Sequence, residues 1–167
     1  LCCRYNRFIN EEMSKVDLGI LYVVSTPIGN LEDITYRAIK ILSSVNYILS
    51  EDTRVTRKIL ERYQIKNKMI SYNEKNEIKK INKIINYINN NLNVAIVSDA
   101  GTPCISDPGF RLISNIKDNQ LPISILPIPG PTAAIAALSV SGLPSDNFYF
   151  VGFLPKKKGR IKKINEL

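Results

Sequence analysis

Three short stretches of this chain gather carboxylates beside other polar or turn-forming residues. Residues 50–54 read "SEDTR", residues 73–77 read "NEKNE" and residues 97–109 read "VSDAGTPCISDPG". The chain contains no histidine, so the commonest side-chain base near neutral pH is missing and proton transfer would fall to a carboxylate. In "SEDTR", Glu51, Asp52 and Arg54 stand beside a serine and a threonine, a set able to position a substrate hydroxyl. The same five residues equally suit a helix N-cap with a local ion pair, and spacing alone favours that. Asn73, Glu74 and Glu77 carry the same double reading, as a polar rim or a helix cap. Asp99 can accept hydrogen bonds from ligand hydroxyl or amino groups, or serve as a turn residue.

No metal site is expected. Cys2 and Cys3 are adjacent and Cys104 is remote, which is neither ligand spacing for a tetrahedral ion nor a disulfide framework. Lys and Arg outnumber Asp and Glu by 23 to 15, a formal charge of +8. That balance suits a polyanionic partner through counterion release, and equally follows from a composition rich in Ile, Asn and Lys. The basic run "KKKGRIKK" offers Lys156, Lys157, Lys158 and Arg160 as phosphate contacts, or simply a solvated face. No apolar run approaches bilayer length and the first residues are too polar for a secretory signal, so no membrane and a reducing, cytoplasmic compartment are expected.

The elements that must hold these clusters alternate along the chain. "GILYVV", "NYILSED", "KMISY", "NVAIV" and "ISILPI" read as strands, and apolar stripes at helical spacing separate them. Asp33 is expected to cap the first helix, Ile78, Ile81, Ile84, Ile85 and Ile88 to line the third, and Pro131 to occupy the first turn of the last. Crossovers of a dozen or more residues between strands dictate an α/β fold, a parallel sheet with helices on both faces. After Pro144 the pattern restarts with the aromatic alternation "FYFVGF", read as a strand, and "GRIKKINEL" begins a helix. Residues 1–18 are therefore expected to be a disordered or non-native tail, with Met13 a natural start. Residues 19–144 form an N-terminal domain, and residues 145–167 the incomplete start of a second α/β domain.

In an open parallel sheet, ligands bind beyond the carboxyl ends of the strands. Three Gly- and Pro-rich loops fall there: "STPIGN" (25–30), "SDAGTP" (98–103) and "PIPGPT" (127–132). Glycine lets backbone approach a ligand and proline fixes loop shape. Neither Gly-x-Gly-x-x-Gly nor a Walker-type lysine is present, so a small ligand without a phosphate group, bearing polar edges, fits best.

Taken in order, "TPIGNLEDIT", "EDTR", "SDAGTPCISDPG", "PIPGPTAAIAALSVSGLP" and "FVGFLP" resemble the ribosomal RNA small-subunit methyltransferase I family, over roughly residues 19–160. That family belongs to the tetrapyrrole-methylase-like, class III S-adenosylmethionine-dependent methyltransferases. The resemblance implies two domains with S-adenosylmethionine in the cleft between them. It further implies methylation of a cytidine ribose 2′-hydroxyl in the decoding region of 16S rRNA in the small ribosomal subunit, by a homodimer. Carried onto this chain, the cofactor residues would be Thr26, Pro27, Gly29, Asn30, Ser98, Asp99, Gly101, Thr102, Pro103, Pro129, Gly130, Pro131 and Thr132. Glu51 or Asp52 would be the base, Arg54 would position phosphate or carboxylate, and Asn73, Glu74, Glu77 and the basic run would face RNA. The chain departs from the family near "SYNEKNE", where Asn73 and Lys75 stand in place of expected histidines. A small-molecule, tetrapyrrole-type methylase and an inactive truncated remnant are the alternatives.

Overall fold

A computed structural model of the chain describes residues 18–156 and 158–166. Apart from Leu18, the expected tail lies outside the described residues, as does Lys157. The five expected strands are β1 (Ile20–Val24), β2 (Tyr47–Ser50), β3 (Met69–Ser71), β4 (Val94–Val97) and β5 (Ser124–Ile128). They form one sheet in the order β3-β2-β4-β1-β5, and every neighbouring pair is parallel. Helices α1 (Tyr36–Ser44), α2 (Thr53–Arg62), α3 (Glu77–Asn89) and α4 (Phe110–Asp118) make the four crossovers, followed by α5 (Ala133–Val140) and α6 (Arg160–Asn165).

The central strand shows why the fold is layered. All four residues of β4 are buried, and their side chains alternate between two cores. Ala95 and Val97 pack with Ala38 and Leu42 of α1 and Ile59 and Leu60 of α2. Val94 and Ile96 pack on the other face with Ile81, Ile84 and Ile88 of α3 and Leu112 and Ile116 of α4. A strand covered on both sides reads as a continuous apolar run, which is why "NVAIV" carries no polar alternation. From β1 the chain passes over β4 to reach β2; from β4 it passes back over β1 to reach β5. The two adjacent central strands thus send their connections in opposite directions, the switch point where such sheets bind ligands.

Four local expectations are corrected. Thr35, not Asp33, caps α1: its side chain accepts the Ala38 N–H at 3.1 Å, while Asp33 ends a short 3-10 turn at Leu31–Asp33. Ile78 leaves the α3 stripe and is 63% exposed, because Glu77, four residues before Ile81, takes the inward place on the first turn. The last expected helix begins at Ala133 with Thr132 as N-cap, so Pro131 precedes the helix rather than entering its first turn. "FYFVGF" forms no strand: Phe148, Tyr149, Phe150 and Phe153 are all exposed and Gly152 adopts a left-handed φ of 71°. A segment with no neighbour to complete its backbone hydrogen bonds does not hold a strand alone.

Candidate functional site

All five strand ends share one edge, and the loops that leave it are tied together by polar contacts. Thr26 and Gly101 form an isolated antiparallel bridge: the Thr26 N–H donates to Gly101 O at 2.9 Å and the Gly101 N–H to Thr26 O at 3.0 Å. Thr26 Oγ1 donates to Ser98 O at 3.1 Å, from a side chain that is essentially buried. The third loop joins through Thr102, whose Oγ1 donates to Pro131 O at 3.2 Å and lies 3.1 Å from Ser25 Oγ. A hydroxyl has one proton, so Ser25 is the donor to Thr102. Gly130 is required by close approach: a Cβ there would stand 2.9 Å from Ser25 Cβ. The loops after β1, β4 and β5 therefore form one wall across the switch point. Pro27 and Pro103 are buried within it, whereas Gly29, Asn30 and Pro129 are exposed, and Asn30 accepts the Glu32 N–H.

The wall continues to β2 through Asp99, whose Oδ1 accepts the Asp52 N–H at 3.0 Å. Asp52 itself caps α2, accepting the Arg54 N–H at 2.8 Å, and pairs with the Arg54 guanidinium at 2.5 Å. The local ion pair that spacing favoured is thus present. The Arg54 hydrogen bonds hold the Asp52 carboxyl at about 2, well below the usual carboxylate range. Its neighbour behaves oppositely. Partial burial pushes Glu51 up, and the negative charges of Asp99, Asp107 and Glu74 add to the effect. Asp107 is likewise raised by burial and by Asp99.

Beyond Glu51 opens a cleft of about 700 Å³, lined by Glu74, Glu77, Cys104, Ser106, Asp107, Pro108, Phe110 and Arg111. Glu77 is buried and committed: its Oε1 meets Arg111 Nε at 3.0 Å and its Oε2 accepts the Gly109 N–H at 3.3 Å. This carboxylate clamps the start of α3 to the loop after β4. Gly109 has no room for a side chain, because a Cβ would fall 2.5 Å from Ile96 Cδ1 and 2.6 Å from Cys104 Sγ, at a φ of +117°. Burial pushes the Cys104 thiol up to about 12, so it is a poor nucleophile. Asn73 stabilises its own turn, accepting the Lys75 N–H at 3.2 Å. Lys156, Lys158 and Arg160 are exposed.

Sequence reasoning missed Asp107 and Arg111. Asp107 was visible in "SDPG", a second aspartate at the same strand mouth. Arg111 carried no signal, since only the fold brings it to Glu77.

A five-stranded parallel sheet with helices on both faces is a fold that this chain shares with solved methyltransferases. The fold is similar to uroporphyrin-III-C-methyltransferase from Thermus thermophilus, with a TM-score of 0.56, 23% identity and cover of 75% of this chain and 54% of that one. Residues 20–166 match the family described as Tetrapyrrole (Corrin/Porphyrin) Methylases, and the chain belongs to it. The chain is also of one kind with relatives named Ribosomal RNA small subunit methyltransferase I. The Vibrio cholerae serotype O1 protein is 49% identical over 149 residues, covering 89% of this chain and 51% of that protein. The Thermotoga maritima protein is 47% identical over 150 residues, covering 90% of this chain and 67% of that protein. The chain spans about half the length of most of the curated relatives it matches.

Proposed function

We propose that this chain carries the methyl-donor wall of an S-adenosylmethionine-dependent methyltransferase whose acceptor is a cytidine ribose 2′-hydroxyl in the decoding region of 16S rRNA. The relatives' names support a ribosomal substrate, and the joined loops at the switch point are the single observation that carries the cofactor assignment. On this reading residues 19–144 are one domain and residues from 145 begin another. The working protein is a cytoplasmic homodimer.

The site suits this donor chemically. S-adenosylmethionine is cationic at its sulfonium and amino groups, and the rim presents Glu51, Glu74, Asp99 and Asp107 close enough to raise Glu51 by mutual repulsion. A cation among them relieves that repulsion. Thr26, Asp99, Gly101, Thr102 and Gly130 would hold the cofactor, with Gly130 keeping the backbone bare of a side chain. When bound, the group supplies a methyl already activated for displacement.

The chain's own task is then to fix the acceptor and take its proton. Glu51 is the base: its raised affinity for a proton brings it nearer the working pH, where general-base efficiency is greatest. Asp52, held near 2 by Arg54, is a weak base and keeps α2 in register with the rim. Glu77 is spent on Arg111 and Gly109, leaving Glu74 as the exposed carboxylate facing the acceptor side.

Calorimetry with S-adenosylmethionine tests the reading. One saturable site per chain is expected, weakened at least tenfold by Asp99→Asn, which keeps an acceptor for the Asp52 N–H but removes the charge. Donor binding equal in wild type and variant would sink the assignment of Asp99. Methyl transfer to the base rather than the ribose of unmodified small subunits would overturn the acceptor.

A further inference from the structure

The α2 helix carries a feature that the donor site does not use. Its sequence TRVTRKILER places Val55, Thr56, Ile59 and Leu60 toward the sheet, leaving Arg54, Arg57, Lys58, Glu61 and Arg62 on the solvent side. These outward positions recur at three- and four-residue spacing, so they form one stripe. Four cations and one anion make it strongly positive. The stripe starts at the rim, where Arg54 meets Asp52, and the chain then turns into exposed Lys66 and Lys68. Those two lysines line a cavity of about 730 Å³ together with Asn46 and Asn67.

The heads of this stripe are unspent. Among the described residues, no carboxylate lies within ion-pairing distance of Arg57, Lys58, Arg62, Lys66 or Lys68. Three cations on other helices have local engagements: Lys40 lies over the Tyr36 ring, Lys83 over the Tyr87 ring, and Lys80 donates to Ser71 O. Ten residues of helix give the stripe a length of about 15 Å, and its geometry is set by a buried core that includes Ile59 and Leu60 rather than by a loop.

We propose that the outward face of α2, extended by Lys66 and Lys68, is the track for the phosphate backbone of the RNA substrate, which enters the site past Arg54. This assignment rests on the rRNA reading above and names the surface that serves it. It differs from the basic run at residues 156–163, which lies on and before a short exposed helix with no buried residue. Unpaired arginines and lysines at fixed positions bind phosphates by releasing their counterions, without regard to base sequence.

The test is fluorescence anisotropy of a labelled single-stranded RNA of arbitrary sequence with the full chain, across about 50 to 200 mM KCl. Neutralising Arg57→Gln, Lys58→Gln and Arg62→Gln together is expected to lower the log–log salt slope by about 2, at about 0.7 per phosphate contact. Affinity at the low-salt end should fall at least tenfold. The charge-conserving set Arg57→Lys and Arg62→Lys is expected to keep the slope. The set Lys156→Gln, Lys158→Gln and Arg160→Gln is expected to leave most of it. An unchanged slope in the α2 variant, or the larger loss in the residue 156–160 variant, overturns the proposal. So does tighter binding of the stripe to an acidic protein than to RNA. Donor binding by calorimetry is measured on the same variants and stays unchanged on this proposal, so failure of the RNA track and failure of the donor site are read separately.

Discussion

Residues 20–128 and residues 133–166 are both rich in apolar side chains, yet only the first stretch buries them. Among the described residues, every buried hydrophobic residue lies between Leu21 and Ile128. The α5 sequence AAIAALSV is as apolar as a core strand, and not one of its residues is buried; Leu143, Phe148, Tyr149 and Phe153 are more than half exposed. Apolar residues supply a driving force, but burial needs a second surface, and in the sheet each strand finds helices on both faces. Past β5 no second layer is present among the described residues.

The contrast can be broken most directly by truncating one side chain in each half. Ile96→Ala removes a fully buried side chain packed against Gly109, and a loss of about 2–5 kcal/mol is expected from lost transfer and the cavity left behind. Ile135→Ala, on the helix with no buried residue, should change stability by no more than about 0.5 kcal/mol. Denaturant unfolding of both measures this. Equal losses would mean that residues 133–140 are covered in solution, and the contrast would collapse. A smaller effect sharpens it at the seam between the halves. Thr102→Val cuts the hydroxyl relay from Ser25 to Pro131 and should cost about 1 kcal/mol. Donor affinity should fall further than stability predicts, since the third loop loses its tie. A variant that binds S-adenosylmethionine as wild type does would show that the third loop is no part of the pocket.

The same contrast explains what could be read from residues alone. A strand such as "NVAIV" is legible because burial on both faces demands an unbroken apolar run, and a parallel order follows from the helices between the strands. Asp33 and Thr35 both carry capping side chains, and only the 3-10 turn decides between them. "FYFVGF" alternates like a strand, but pairing is a property of neighbours and not of the segment. The three loops announced the switch point through Gly and Pro. The Glu77–Arg111 pair announced nothing, because two charges distant in sequence meet only once α3 and α4 lie side by side.

The finest version of the comparison concerns two adjacent carboxylates, Glu51 and Asp52, one partly buried among like charges and the other paired with the exposed Arg54. Partial burial, and then Asp99, Asp107 and Glu74, lift Glu51 above its unfolded value. A carboxyl raised on folding contributes stability that is fully present below its unfolded value and is lost as pH rises through the folded one. Wild type should therefore lose a little thermal stability between about pH 4 and pH 7 from this group. Glu51→Gln, which cannot ionise, should melt slightly higher than wild type at pH 7 and level with it near pH 4. A gain of the same size at both pH values would assign it to packing or hydrogen bonding rather than charge. Loss of methyl transfer in Glu51→Gln, set against retained turnover in Asp52→Asn, would give the raised carboxylate its chemical role. Stability at neutral pH is then lowered by the same burial and repulsion that make Glu51 fit to take a proton.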